Sequence, residues 1–451
     1  MTSAIAKTNN SYAAAFSEAA LRKTEEPAWL RDFRNASFAR FQEIGFPSVE
    51  EEEWKYTNVA AIGKGNFAPT TSSNGTALTP DAIRVWGYEE APVRLVFLNG
   101  IFRPDLSSLR EQPPELLAGN LIEAANDARH GQAIRQVLEP RAQGTNGFVA
   151  LNNALFAGGL FLQIKRNATI APPIHLLLIT EAGSSNPAAS PRIVIHAEPN
   201  SSATIIESYV SAGESEYLTN AVIDFAVEDS AQIRHYRVQR ESAKGFHIAA
   251  THATLGPKAK YETTSINLGG SISRHDIDVV MDHEGAECAV DGLYMVEGSQ
   301  HADTHSVIDH RQPHCTSRQL YKGILDGKSR AVFNGKVFVR HGAQQTDAQQ
   351  TNKNLLLSKE AQIDTKPQLE IYADDVKCTH GAAIGQLDED ELFYLESRGI
   401  NPALARNMLT YGFAEEVIER ITIESIKREL DSVVLNRLSQ GAGASGLEDL
   451  K

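Results

Sequence analysis

The spacing of apolar residues changes twice along the chain, and each change predicts a change of structure. In the segment PAWLRDFRNASFARFQEIG, bulky apolar residues recur at roughly helical intervals until Gly45, Phe46 and Pro47 end the pattern. From about residue 148 the apolar runs are short, β-branched and bounded by turn residues, which is typical of strands. After Gly385 the helical spacing returns. The pattern therefore predicts helices, then a long β region, then helices again.

The region before residue 148 is expected to be mainly helical, with some mixed segments. SYAAAFSEAALRK and residues 113–142 have helix-favouring compositions, whereas residues 66–80 are rich in Thr, Ser, Asn and Gly and predict a loop. The segment VRLVFLNGIF predicts two short strands around an Asn-Gly turn. The expected division is an N-terminal, mainly helical domain over 1–147, a β core over 148–385 and a C-terminal helical domain over 386–451.

Segments of the β region resemble one another. Each has a polar turn, a small residue and an alternating strand, as in RNATI, NSSATI, EDSAQI, GPKAKY and HEGAEC. The small residues are spaced by 35, 28, 28 and 27 positions, which indicates a solenoid of stacked coils. A β-helix explains this regularity better than a β-sandwich, whose turns have no reason to resemble one another. The small residues are Ala168, Ala203, Ala231, Ala259 and Ala286.

The C-terminal region carries the signals of capped helices. Asp388 is placed to cap the helix EDELFYLESRG, which Gly399 ends, and Asn401 with Pro402 begins the next helix. Apolar residues then recur every four positions and continue at spacings of three and four, which predicts an amphipathic helix. The residues at the four-residue spacing are Leu409, Phe413, Val417 and Ile421.

Composition and charge argue against several classes of function. The 451 residues include 43 basic and 57 acidic side chains, for a net charge of −14, which opposes general affinity for nucleic acid or an anionic membrane. The chain shows no apolar run that would span a membrane and no apolar core of a signal peptide. Its three cysteines, Cys288, Cys315 and Cys378, are too few for a secreted disulfide framework. A reducing, cytoplasmic location is expected.

The main candidate for chemistry is the segment LEIYADDVKCTHGAAIG. Its alternation predicts a strand, and residues two apart on a strand face the same side, so Cys378 and His380 would project together. Thiolate and imidazole are ligands for iron, zinc or copper, but zinc and iron–sulfur clusters usually take four ligands. The remaining ligands must come from distant residues or from another chain. Otherwise Cys378 is a small buried thiol beside a hydrogen-bonded histidine.

Two other clusters are weaker candidates. HADTHSVIDHRQPHC holds His301, His305, His310, His314 and Cys315, but the histidine spacings suit a helix whereas the flanking sequence predicts strands, so hydrogen-bonded or solvated strand histidines are favoured. Asp374 and Asp375 would face opposite sides of a strand, which makes them a poor acid–base pair. The sequence contains no G-x-S-x-G, phosphate-loop or H-E-x-x-H motif, so no self-contained catalytic apparatus is expected.

The segment around Cys378 and His380 resembles a known family. KPQLEIYADDVKCTHGAAIGQLDEDELFYLESRGI, and the preceding SRQLYKGILDGKSRAVFNGKVFVRHGAQQTDAQQTNKNLLLSKEAQIDTKP, are similar to segments of the SufB/SufD family of iron–sulfur cluster assembly proteins. FPSVEEEEWKYTN resembles an N-terminal stretch of the SufD branch. The resemblance covers nearly the whole chain and is strongest from about residue 300 to residue 422.

The resemblance implies a fold, partners and a role. The fold would be a right-handed parallel β-helix between N-terminal and C-terminal helical domains. The chain would be a non-catalytic scaffold that pairs with SufB through the β-helix and docks the ATPase SufC through its C-terminal helices. It would hold no cofactor of its own but share transient iron or a nascent iron–sulfur cluster with SufB. A homodimer would be possible when SufB is absent.

The resemblance also assigns roles to the candidate residues. His380 and Cys378 would lie near the SufB interface and serve iron acquisition and cluster assembly, with His380 as the stronger candidate and the candidate metal ligand. The candidate ATPase-docking residues are Leu409, Phe413, Val417 and Ile421, which could equally pack against the chain's own β-helix.

Two other hypotheses stay open at this point. A β-helix is also a scaffold for carbohydrate-active enzymes, although the sequence offers no groove of acidic, basic and aromatic residues. Alternatively, the chain is a purely structural partner in which Cys378 and His380 are inert.

Overall fold

Helices lie on both sides of the β region, as the apolar pattern predicts. The computed structural model describes residues 12–18, 26–70, 78–109, 112–181, 186–213 and 215–442. Residues 12–18 are helical, and the other residues of the predicted helix SYAAAFSEAALRK lie outside the described residues. The α-helices that follow in the described chain are α1 (Ala28–Ile44), α2 (Ala60–Lys64), α3 (Leu121–Asn126), α4 (Gly131–Leu138), α5 (Gly147–Leu155), α6 (Glu389–Ser397), α7 (Pro402–Ile418) and α8 (Glu424–Ala442).

The strands of the described residues form two sheets. The first sheet has the order β20-β18-β16-β14-β12-β10-β8-β5-β4, and the second has the order β21-β19-β17-β15-β13-β11-β9-β6-β2-β3. The strands are β1 (Ala68–Pro69), β2 (Val93–Leu98), β3 (Ile101–Phe102), β4 (Leu116–Asn120), β5 (Leu160–Ile164), β6 (Thr169–Glu181), β7 (Pro187–Ala189), β8 (Arg192–Ala197), β9 (Ser202–Ala212), β10 (Tyr217–Val227), β11 (Gln232–Gln239), β12 (Gly245–Leu255), β13 (Lys260–Asn267), β14 (Ile272–Met281), β15 (Glu287–Val296), β16 (His301–His310), β17 (Thr316–Leu325), β18 (Arg330–Val339), β19 (Asp347–Leu356), β20 (Gln362–Ile371) and β21 (Lys377–Gly385).

From β8 onward the chain crosses to the other sheet after every strand, and from β10 onward each strand pairs in parallel with the strand two places earlier. This arrangement is a parallel β-solenoid of about seven turns, so the predicted stacked-coil fold is confirmed. Each coil buries its inward residues against the coils above and below it, which is the reason that the sequence repeats.

One type of turn recurs where the chain enters the second sheet. A residue with positive φ precedes a small residue, whose carbonyl accepts the backbone N–H of the next coil. Asparagine and glycine tolerate this left-handed conformation best. The positive-φ residues are Asn167, Asn200, Ser230, Lys258, Gly285, His314 and Gln345. The small residues are Ala168, Ser201, Ala231, Ala259, Ala286, Cys315 and Thr346.

The alignment of equivalent small residues predicted from the sequence is therefore wrong at one position. Ala203 pairs with Ile170 and Ile233, two residues beyond the turn, and Ser201 takes the place that the sequence assigns to Ala203. The reason is that the turn NSSATI carries two residues more than its neighbours before the alanine. The local composition matches the other turns, but only the hydrogen-bond register identifies the equivalent residue.

The N-terminal region contributes strands to both sheets. The predicted strand, turn and strand at VRLVFLNGIF are β2 and β3, and β2 pairs in parallel with β6. Residues 113–142, predicted as helical from composition, instead begin with β4, which pairs antiparallel with β5 before α3 and α4 follow. Pairing with the edge of the first sheet outweighs the weak local preference for helix.

The C-terminal helices begin as predicted and cover the second sheet. The side chains of Asp388 and Asn401 accept backbone N–H groups at the starts of α6 and α7, and Gly399 has a positive φ. The long amphipathic pattern is divided into α7 and α8. The buried faces of these two helices pack against outward residues of the second sheet, including Tyr236 and Leu293.

Candidate functional site

Cys378 and His380 lie on β21, the last strand of the second sheet. Residues 372–376 interrupt the predicted continuous strand, because the chain crosses there from the first sheet to the second. The register pairs Cys378 with Ala348 and His380 with Gln350, which are both buried inward positions of β19. Both candidate side chains therefore occupy the inward face of the last coil, while Lys377 has the opposite parity.

The two candidate ligands differ in exposure. Cys378 is partly buried and packs against the main apolar core of the solenoid. This burial raises the pKa of the thiol, so Cys378 is neutral in the isolated chain at neutral pH. His380 is exposed, although its column is buried in every earlier coil, because no further coil of the described chain stacks on β21. Metal binding by Cys378 therefore requires loss of a proton.

Cys378 and His380 alone are too few ligands for a metal site. No group of three or more His, Cys, Asp or Glu side chains in the described residues is arranged to hold a metal ion. Asp374 and Asp375 belong to the crossing between β20 and β21, where Gln344 and Gln345 bond the backbone of Asp375. They lie in this crossing rather than on a strand, so they do not form the acid–base pair that the sequence already disfavoured.

Two strand edges at the end of the solenoid pair with no strand of the described residues. β20 and β21 stand last in their sheets. The N–H of Lys377 donates to Thr346 on β19, and because bonding direction alternates along a strand, Cys378, His380, Ala382 and Ile384 direct their N–H groups towards the free edge. Large apolar side chains are exposed around this end: Ile371, Tyr372 and Ile384. Exposed edges and apolar residues are features of a strand-pairing surface.

The histidine-rich segment does not form a metal site. His301 and His305 contact the N-terminal region, and Nε2 of His310 lies 2.9 Å from Oγ of Ser317. His314 occupies a left-handed turn, and Cys315 is a buried small residue of the recurrent turn. These side chains do not converge. His301, His305 and His310 are hydrogen-bonded strand histidines, as expected, whereas His314 lies in the turn after the strand.

The structure reveals a charged cluster that the sequence did not. The motif FPSVEEEEWKYTN lies across the outer face of the first sheet, where Glu53 bonds His305 and Lys336, and Thr57 donates to Asp303 at 2.5 Å. Nδ1 of His305 lies 3.2 Å from Glu53, and its Nε2 lies 3.1 Å from Asp303. The available signal in the sequence was the run of four glutamates, EEEE, whose strong negative charge favours pairing with cations elsewhere in the chain. The sequence does not show which histidines or lysines these are.

Mutual attraction keeps both His305 and Glu53 of this cluster in their charged forms. Burial opposes the charge on His305, but the carboxylates of Asp303 and Glu53 outweigh it and raise its pKa to about 9. The hydrogen bond from His305, together with Lys336, lowers the pKa of Glu53 to about 2. His305 is therefore a cation at neutral pH, and the cluster holds the N-terminal motif to the solenoid rather than offering a free ligand.

The four candidate docking residues do not share one accessible face. Val417 and Ile421 are 0% and 1% exposed and belong to the apolar cluster between the C-terminal helices and the second sheet. Phe413 packs at the edge of that cluster, and Nζ of Lys322 lies 4.4 Å from the centre of its ring. Leu409 is partly buried. The large apolar side chains exposed on α6 and α7 are Phe393, Tyr394 and Met408.

Comparisons with known proteins match both halves of the chain. The family model "SUF system FeS cluster assembly, SufBD core domain" matches residues 179–413, and the model "SufBD protein N-terminal region" matches residues 6–176. A protein of Synechocystis described as an iron–sulfur cluster assembly SufBD family protein is 34% identical, over 93% of this chain and 94% of the relative. The iron–sulfur cluster assembly protein SufD of Escherichia coli is 34% identical, over 88% of this chain and 90% of the relative.

Among the helices in the described residues, none combines the length and the apolar character that crossing a membrane requires.

Proposed function

The chain belongs to the SufBD family of iron–sulfur cluster assembly proteins, and from this membership we propose that it is a scaffold subunit of the SufD type. It pairs with SufB, docks the ATPase SufC and aids iron acquisition and assembly of the nascent cluster in the cytoplasm. Iron and the cluster are its transient cargo, shared with SufB, and catalysis of ATP hydrolysis belongs to SufC.

One observation carries this proposal: His380 and Cys378 lie on one face of β21, whose outer edge pairs with no strand of the described chain. Imidazole and thiolate are suitable iron ligands, but two ligands leave an iron ion incomplete. A second chain that adds to the free edge of β21 would bring its own side chains opposite these two. On this proposal the chain supplies one half of a shared site and the partner supplies the other.

The free edges also support pairing through the solenoid. A partner strand can bond the outward N–H and C=O groups of β21, as in other cases of strand addition. β20 is less complete as an edge, because Pro367 falls at a position whose missing N–H faces outward. SufB, the β-helical relative implied by the resemblance, is the proposed occupant, and a second copy of this chain could occupy the same edges when SufB is absent.

The C-terminal helices support the proposed docking of SufC. Val417 and Ile421 anchor these helices to the second sheet, and Leu409 and Phe413 border that buried cluster. Phe393, Tyr394 and Met408 leave an apolar surface on the outside. The proposed contact therefore uses the exposed apolar residues of α6 and α7, supported from beneath by Val417 and Ile421.

The test is reconstitution of the full chain with SufB and SufC. We expect His380→Ala to reduce iron content and the rate of cluster formation while complex formation stays intact, because the substitution removes a ligand but no edge hydrogen bond. Cys378→Ala should have a smaller effect. His341→Ala, in an exposed turn of the previous coil, is the control. Unchanged iron content and assembly in His380→Ala would contradict the proposed role and favour an inert, structural position.

A further inference from the structure

A column of polar residues inside the solenoid ends at His380. Gln319 on β17 pairs in register with Gln350 on β19, and Gln350 pairs with His380 on β21. Gln319 and Gln350 are 4% and 1% exposed. Neighbouring strands lie about 4.8 Å apart, so side chains at paired inward positions are within reach of one another. His380 therefore follows two buried amides, Gln319 and Gln350, in this column.

Hydrogen bonds hold the Gln350 amide in one orientation. Its Nε2 donates to Oε1 of Gln319 at 2.7 Å, and Nε2 of Gln319 donates to Oγ of Ser306 at 2.8 Å. Because the amide nitrogen is engaged by the previous strand, the carbonyl oxygen lies on the other side of the amide group. Gly335 leaves room for this arrangement, because a Cβ at that position would lie 2.3 Å from Nε2 of Gln350 and would clash with it.

The carbonyl oxygen of Gln350 is left without a donor. Oε1 is buried and accepts no hydrogen bond from any residue that the structure describes. A buried acceptor without a donor costs roughly 1–3 kcal/mol of stability, so such atoms call for an explanation. The neighbouring inward position on β21 carries an imidazole, which always has at least one ring N–H to donate.

We propose that Gln350 is a positioning residue for His380. Rotation of the exposed His380 side chain towards Gln350 lets Oε1 accept the hydrogen bond of one ring N–H, which fixes the imidazole tautomer and orientation and leaves the lone pair of the other nitrogen free to bind iron. Metal-binding histidines are commonly fixed in this way by an acceptor on the second nitrogen. The choice of iron as the ligand rests on the proposed function, whereas the hydrogen bond itself does not.

The hydrogen bond can be tested without any partner. In the full chain labelled with ¹⁵N-histidine, the ring signals of His380 are assigned by their loss in His380→Ala. We expect neutral His380 to populate one tautomer and to show a ring N–H that exchanges slowly with solvent. Gln350→Met should remove both features, and Gln350→Glu, which keeps an acceptor, should retain them.

The matched control is Asn352→Leu, a change of a buried amide on the same strand that pairs with Ala382 instead of His380. It should leave the His380 signals unchanged. A His380 ring in the unsubstituted protein with the tautomer mixture and fast exchange of free histidine would overturn the proposal, and this measurement stands even if Gln350→Met fails to fold.

The consequence for iron is tested separately in the reconstituted complex. Loss of an outer-shell acceptor typically weakens metal affinity about 10–100-fold, so Gln350→Met should need about tenfold or more iron for half-maximal loading, with recovery in Gln350→Glu. If His380→Ala leaves loading unchanged, the proposed iron role fails while the hydrogen-bond result is unaffected. If His380→Ala impairs loading and Gln350→Met leaves both loading and tautomer unchanged, the positioning role is wrong.

Discussion

The guanidinium carbon of Arg274 lies 3.7 Å from the centre of the Trp54 ring. The same guanidinium bonds Asp276 at 2.9 Å and Asp303 at 2.8 Å, and it donates to the backbone oxygen of Glu53 at 2.7 Å. Arg274 on β14 thus neutralises a carboxylate on the neighbouring strand β16, and the face of its guanidinium stacks on Trp54 of the N-terminal motif. Arginine suits this position because its planar group both stacks and donates several hydrogen bonds.

Replacing this cation should destabilise the protein strongly. Arg274→Met removes the guanidinium from Asp303, whose side chain is 0% exposed. Because Asp303 keeps Thr57 and His305 as partners, the loss should lie near the lower end of the roughly 3–5 kcal/mol that breaking a buried pair typically costs. The control is Arg311→Met, since Arg311 is about half exposed and Asp309 keeps a bond to Arg340; it should cost at most about 1 kcal/mol. Urea unfolding of both variants measures the difference, and equal losses would contradict the assigned role.

The cluster around His305 predicts a loss of stability in alkaline solution. Burial and nearby Arg274 oppose the positive charge of His305, but Asp303 and Glu53 outweigh them and raise the pKa of His305 to about 9. Protonated His305 therefore stabilises the folded state, fully below its ordinary pKa of about 6.5, and this contribution of up to about 3 kcal/mol is lost as the pH rises through 9. Urea midpoints between pH 6.5 and 9.5 should fall in the unsubstituted chain and change less in His305→Gln.

A second histidine substitution serves as the control for this pH dependence. His314 occupies a left-handed turn, where Gln345 stands one coil later, so His314→Gln fits the backbone. It should retain the alkaline loss of the unsubstituted chain. An alkaline loss that is the same size in His305→Gln would show that other groups cause it.

The free edge of β21 predicts different effects of proline at adjacent residues. Ala382→Pro removes an N–H that faces the free edge, as Pro367 already does on β20, and so should leave the folded chain nearly as stable. It should weaken pairing with SufB, measured by copurification or by titration of the two chains. Ala383→Pro removes an N–H that bonds β19 and should lower stability by about 1–3 kcal/mol, the usual cost of an acceptor left without its donor. Normal pairing of Ala382→Pro would rule out strand addition at this edge.

Features set by neighbouring residues were predictable from the sequence. The caps at Asp388 and Asn401 and the Asn-Gly turn before Ile101 depend on local side chains and backbone preferences, and all three are present. The stacked-coil fold was also predictable, because every coil meets the same packing requirement and the sequence repeats accordingly. The strand register around Ala203 was not predictable, since the two extra residues before Ala203 alter the spacing of the repeat without altering its composition.

Features set by distant contacts could not be predicted. The role of Gln350 depends on its alignment with Gln319 and His380 in other coils, and the pairing of Glu53 with His305 joins segments far apart in the sequence. The amphipathic pattern around Val417 showed an apolar face but not what covers it. A helix that packs on its own chain and one that docks a partner have the same spacing.

The exposed and buried apolar residues of the C-terminal helices should respond differently to charge. Phe393→Asp places a carboxylate on a side chain that is 72% exposed, so the fold should be unaffected, while the apolar contact with SufC is lost and copurification falls. Ile421→Asp places a charge in the cluster between the helices and the second sheet, and should lower the unfolding midpoint because an unpaired buried charge is costly. Lys359→Asp, a charge change on an exposed loop of the solenoid, controls for altered net charge. Undiminished copurification with Phe393→Asp would place the SufC contact elsewhere, whereas its loss at full thermal stability would locate docking on the outer face of α6.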